Sequence, residues 1–200
     1  MQAILETIIY IIVLIYSIIL HEIAHGYIAY REGDNTAKWS GRITLNPWPH
    51  VDIVGSIIVP ILSYVSAGVA MGWAKGVPYN PHQLKHRYSE AKVAAAGVVT
   101  NFLLAIIFAG IYRLVDVDLI KYVSLTVVIV NVSLGIFNLL PLPPFDGMRI
   151  LTSLFPAWGR DINRRVDQNH TIFLLLSLFL AYNLWGYMQP IVRGVVQFLL

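Results

Sequence analysis

The chain has 200 residues, of which 57% are hydrophobic and only 12% charged, and its mean hydropathy of +0.66 is far above that of an ordinary soluble domain. It has no cysteine, which excludes a disulfide framework and any thiolate metal site and leaves His, Asp and Glu as possible metal ligands. The net charge of +3 is small and forms no basic stripe, so nucleic acid is not an expected partner; the lipid bilayer is.

The first apolar stretch, about residues 7–30, lacks the positive n-region and small-residue cleavage site of a signal peptide, so it is expected to stay in the mature protein. A spanning helix needs about 20 residues, and this stretch is long enough. Its second half reads "SIILHEIAHGYIAY" (17–30), where two histidines and a glutamate interrupt an otherwise lipid-facing run. Loop 31–52 follows with Arg31, Lys38 and Arg42. A weaker apolar segment at 53–71 contains the helix-breaking Gly55, Pro60 and Gly68, and loop 72–92 carries Lys75, Lys85, Arg87 and Lys92. Spans are then predicted at 91–112 and 122–144, joined by a loop in which Arg113 and Lys121 are offset by Asp116 and Asp118. Loop 145–170 holds Arg149, Arg160, Arg164 and Arg165 and contains "RRVDQNH", read with "NPHQLKHR" (80–87) as solvated turns. The last stretch, 171–200, has Gly186 and Pro190 near its middle and fits either one kinked helix or two shorter ones.

Basic residues mark cytoplasmic loops, so 31–52, 72–92 and 145–170 are placed inside and 113–121 outside. Both ends of 53–71 then lie on one face, which predicts a re-entrant segment; an ordinary span is the alternative. The expected fold is an all-α integral membrane protein. It is a polytopic helical bundle with four to six membrane segments, one of them re-entrant, and a short β-strand or hairpin near 41–47. One domain covers 1–200.

His21 and His25 are four residues apart, so on a helix they share a face one turn apart and can reach one zinc ion. Glu22 falls beside the metal rather than on it, where it can take a proton from a water activated there. Ionisable groups inside a membrane segment are costly and usually functional. A catalytic zinc needs a third protein ligand and an open position. Asp146, in "NLLPLPPFDGMRI", stands out: it ends an apolar span, follows three prolines and precedes Gly147. Asp52 is its main rival, with His50 close by, although both sit in a basic loop. Counting from Ile8, His25 lies about 25 Å along its helix, close to the inner surface, so a short channel to the cytoplasm would supply water.

Together "HEIAH" at 21–25, "AAAGVVTN" at 94–101 and "NLLPLPPFDG" at 138–147 resemble the motifs of the site-2 proteases, the intramembrane zinc metalloprotease family, in family order. The resemblance implies that His21, His25 and Asp146 bind one Zn2+ and that Glu22 is the general base. It also implies that Asn138 holds the substrate strand or the developing oxyanion, and that Asn101 has a supporting polar role. There is no insertion long enough for a PDZ domain and no tail for a CBS pair, so the chain is similar to the minimal subgroup. The expected function is hydrolysis of a peptide bond in or near the transmembrane segment of membrane-protein substrates, in regulated intramembrane proteolysis or signal-remnant clearance. The expected location is a prokaryotic cell membrane with the active site open to the cytoplasm. Segments 53–71 and 171–200 are candidate gates. The oligomeric state is unreadable. The rival function is a divalent-metal binding or transport protein using the same His/His/Asp set; such a protein would have no need of Glu22.

Overall fold

The computed structural model describes residues 1–67 and 72–200, apart from a few side chains. Among the described residues, four helices are long and apolar enough to cross a membrane. These are α1 (Gln2–Arg31), α4 (Ser89–Leu114), α5 (Asp118–Asn138) and α8 (His170–Leu199). The shorter helices are α2 (Thr36–Trp39), α3 (Val59–Ala67), α6 (Asp146–Leu154) and α7 (Pro156–Gln168). All four predicted spans are present, and α8 continues through Pro190 as one helix, which settles the choice left open by the sequence. Much of 145–170 is helical rather than turn, Pro156 starting α7 at a position where a missing N–H costs nothing.

Helix α4 is the hub and packs against α1, α5, α6 and α8. Its buried ridge runs Val93, Gly97, Asn101, Ala105, Ala109 at four-residue spacing, mostly small side chains that let neighbouring backbones approach. Ala105 and Ala109 close on Val128 and Val132 of α5 and on Val192 of α8, the apolar core of the bundle. The first half of α1 instead exposes Ile4, Leu5, Ile8, Ile11, Ile12 and Ile15, a surface suited to acyl chains.

Between α1 and α4 the chain folds over the C-terminal end of α1. Among the described residues there is no strand, and the one expected near 41–47 is replaced by turns and bends. Pro47 and Pro49 remove donors from any ladder there, the Thr44 carbonyl is taken by His50 Nε2 at 3.0 Å, and buried Arg42 turns away to donate to the carbonyls of Lys75 and Gly76.

The re-entrant reading is supported at its described ends. Asp52 Oδ1 accepts from Gly55 N at 2.7 Å and starts a helical descent, a π-helical turn at Val54–Ile58 leading into α3. By Trp73 the chain is back beside its starting point, with Trp73 N donating to Gly55 O at 3.0 Å and Ser56 Oγ to Trp73 O at 3.0 Å. A segment that leaves from and returns to one place enters and exits on one face. Residues 68–71, part of the expected segment, lie outside the described residues.

Candidate metal centre

The "HEIAH" turn lies near the C-terminal end of α1, where one helical turn stacks the two imidazoles with ring centroids 4.6 Å apart and planes at 84°. Asp146 arrives from the other side. After α5 ends at Asn138, the proline-rich stretch 139–145 is pinned by Phe145 stacking edge-on against Phe137 at 4.7 Å, and Asp146 opens α6. Gly147 permits this turn because a Cβ there would overlap the Leu139 carbonyl. Asp146 Oδ2 stands 3.2 Å from His21 Nε2 and 3.3 Å from His25 Nε2, and the two Nε2 atoms are 2.9 Å apart. Among the described residues these three form the one cluster able to hold a metal ion.

The far side of each ring decides what the near side can be. His25 Nδ1 lies 2.6 Å from the Val93 carbonyl, which can only accept, so Nδ1 carries the proton. His21 Nδ1 lies 2.6 Å from Asn101 Oδ1, again an acceptor. With each ring neutral, both Nε2 atoms present lone pairs toward each other and toward Asp146 Oδ2, a buried oxygen with no hydrogen-bond partner among the described residues. Three acceptors in mutual contact repel unless a cation joins them. Tetrahedral zinc with bonds of about 2.0–2.1 Å places adjacent ligands about 3.3 Å apart, close to the observed edges of this triangle. Space is reserved as well: a Cβ at Gly97 would sit 2.5 Å from His25 Nε2 and 2.6 Å from His21 Nε2. The donor set and the cavity fit zinc.

Glu22, half-buried next to this cluster in sequence, accepts from the Val77 backbone N–H at 2.7 Å through Oε2. Asn138 is not brought to the three ligand atoms by any hydrogen bond; its amide donates to Leu134 O at 3.0 Å on its own helix. Asp52 caps the re-entrant segment and His50 binds the Thr44 carbonyl, so the rival ligands serve the loop. Sequence reasoning missed Asn131, which extends the support of His21 by accepting from Asn101 Nδ2 through Oδ1 at 2.9 Å, and it missed the peripheral Ser17 hydroxyl, which accepts from Asn131 Nδ2 at 2.9 Å. An amide alone in the middle of "VVIVNVSLGIF" was the available signal. Tyr79 is a further neighbour outside the spans. Its hydroxyl donates to Glu90 at 3.2 Å, Arg149 lies over its ring, and burial pushes its phenol up to about 12, so it stays neutral.

The chain is also similar to known proteins. YwhC of Bacillus subtilis, provisionally named a zinc metalloprotease, is 36% identical to the chain, the match covering 88% of the chain and 83% of YwhC. The model of peptidase family M50 matches residues 112–181, the stretch containing Asp146. The chain belongs to peptidase family M50. Two further relatives show lower identity: Rip2 of Mycolicibacterium smegmatis, also provisionally named a zinc metalloprotease, is 27% identical over 84% of the chain and 66% of Rip2. Zinc metalloprotease MJ0392 of Methanocaldococcus jannaschii is 28% identical over 72% of the chain, which spans only 33% of MJ0392. No solved structure gives a significant match. As a site-2 protease of the M50 family, the chain is an integral membrane metalloprotease with one zinc ion as cofactor.

Proposed function

We propose that the chain is a zinc-dependent intramembrane endopeptidase that hydrolyses a peptide bond in or near a transmembrane segment of other membrane proteins. In this reading His21, His25 and Asp146 hold the ion and Glu22 is the general base. The observation that carries it is the meeting of the two Nε2 atoms and Asp146 Oδ2 within 3.3 Å of one another, with a carboxylate one residue along the same helix.

When bound, zinc supplies Lewis acidity, making a water more acidic and the scissile carbonyl more electrophilic. Glu22 takes the proton of that water on Oε1, since Oε2 is engaged by Val77 N–H, and returns it to the leaving amine. Asn138 exchanges the Leu134 carbonyl for the substrate strand or the developing oxyanion by turning about its side-chain torsions. Water enters from the C-terminal end of α1, since His25 is about 9 Å along the helix from Arg31. In this reading that end faces the cytoplasm of a prokaryotic cell, which the basic loops support.

A helical substrate has its carbonyls hydrogen-bonded, so it must unwind locally before attack. It enters sideways past the 53–71 segment or past α8 at Pro190, the two candidate gates.

The test is cleavage of a single-span model substrate by the purified full chain in bilayer discs, with the cut mapped by mass spectrometry. A cut within or at the edge of the span, abolished by a zinc chelator and restored by zinc, is the expected result. Cleavage that survives complete zinc removal would overturn the proposal.

A further inference from the structure

The two imidazoles are supported differently. His25 faces a backbone carbonyl, which cannot turn round. His21 faces a side-chain amide, whose oxygen and nitrogen have nearly the same shape and can exchange places by rotation. If Asn101 presented its nitrogen, His21 would have to accept at Nδ1 and carry its proton on Nε2, pointing at the metal position. Something must fix the direction of Asn101, and α5 supplies it.

The direction can be traced from one atom. The Val127 carbonyl oxygen can only accept, and it lies 2.9 Å from the Asn131 amide, so the nitrogen of Asn131 must face it. The same nitrogen reaches Ser17 Oγ at 2.9 Å. Asn131 Oδ1 is thereby turned toward Asn101 and accepts from Asn101 Nδ2 at 2.9 Å. Asn101 Oδ1 is then left for His21 Nδ1, at 2.6 Å. Asn101 and Asn131 are both 0% exposed, so no bulk water can compensate a reversed amide. Reversing Asn131 would set its oxygen against the Val127 carbonyl.

We propose that Asn131, acting through Asn101, is a positioning residue that fixes the tautomer of His21 and so keeps Nε2 a lone pair for the metal. It lies on a span that contributes no ligand. The inference rests on the metal-centre reading above. Outer partners of ligating histidines, which set tautomer and ring orientation, typically change metal affinity about 10–100-fold when mutated.

The probe is zinc alone, titrated into the metal-free full chain in detergent against a chelating dye, with 15N NMR of labelled histidines reporting the tautomer. Asn131→Leu should bind zinc about ten- to a hundredfold more weakly, and the His21 signal, assigned with His21→Gln, should move from Nδ1–H to a mixture. Ser17→Ala removes a buried hydrogen bond but leaves the Val127 lock, so its zinc affinity should stay within about twofold of wild type. The deciding variant is the double Asn101→Asp, Asn131→Leu. A carboxylate accepts with either oxygen and needs no lock, so this protein should recover affinity. Loss of a purely structural contact would not be repaired that way. Should Asn131→Leu not fold, Asn131→Ser takes its place, because a hydroxyl both donates and accepts and cannot impose a direction. Wild-type-like affinity and an unchanged tautomer in the Asn131 variant, or no rescue in the double variant, would overturn the proposal. Failure of wild type itself to bind one zinc would instead overturn the metal-centre reading.

Discussion

The backbone N–H of Val77 donates to Glu22 Oε2 at 2.7 Å, joining residues 55 positions apart. It makes the segment after the re-entrant stretch a strap over the end of α1. The strap is held by Trp73 on Gly55, Lys75 on His50, Arg42 on Lys75 and Gly76, and Asn80 on Asp34. The bond fixes one carboxylate oxygen, Oε2, and in the proposed reaction leaves Oε1 to take the proton.

Glu22→Gln retains an amide oxygen for Val77 N–H, so fold and zinc binding should survive. Hydrolysis should fall by about 10²–10⁴-fold, the usual contribution of a positioned base. Cleavage rate and zinc content measured on the same preparation check this; substantial residual hydrolysis would remove Glu22 from that role.

Gly97→Ala places a methyl group 2.5 Å from His25 Nε2. Overpacking of this kind costs about 1–3 kcal/mol. Because the strain falls on the ligands, it should appear as zinc affinity weakened by about tenfold to a hundredfold. Gly110→Ala, with nothing within 4 Å of the new carbon, is the control and should bind zinc normally. Zinc titration of both proteins separates the local effect from a general loss of fold.

The spans were legible because hydropathy over twenty residues is a property of composition, and α1, α4, α5 and α8 fall close to where it placed them. The site was legible in part. His21 and His25 obey helical spacing, and Asp146 stands out after three prolines. What pairs across distance was not: nothing local ties Val77 to Glu22, and Asn131 reads like any amide joining two helices. The strand expected at 41–47 failed because its alternation was not backed by free donors, Pro47 removing one at its end and Pro49 another just beyond it.

Asp34 is fully buried and accepts from Thr36 N at 2.9 Å, Thr36 Oγ1 at 2.5 Å and Asn80 N at 2.5 Å, fastening the far end of the strap. Asp34→Ala leaves buried donors unpaired, at a cost of about 1–3 kcal/mol each. A lowered melting temperature and faster nicking by added protease between residues 72 and 88 are expected, with Asp34→Asn intermediate. Wild-type protease resistance in Asp34→Ala would show that the strap is held elsewhere.

Glu32 connects the end of α1 to the start of α4. Lys92 Nζ donates to it at 2.8 Å and Ser89 Oγ donates as well; these partners, Lys92 foremost, hold its carboxyl below the usual carboxylate range. A depressed folded-state pKa adds stability above the unfolded value and loses it as pH falls through the folded one. Lys92→Met should therefore reduce stability at neutral pH and flatten the acid side of the profile below the ordinary glutamate pKa. Thermal melts across pH 3–8, about one unit apart, check this; parallel profiles for the two proteins would contradict it.

The most direct test of the metal centre is zinc content per chain, by elemental analysis of protein purified in detergent and dialysed against trace zinc. Wild type and Glu22→Gln should each carry one zinc, and His21→Ala, His25→Ala and Asp146→Ala should each lose it. One zinc retained by Asp146→Ala, with the fold intact, would contradict the account.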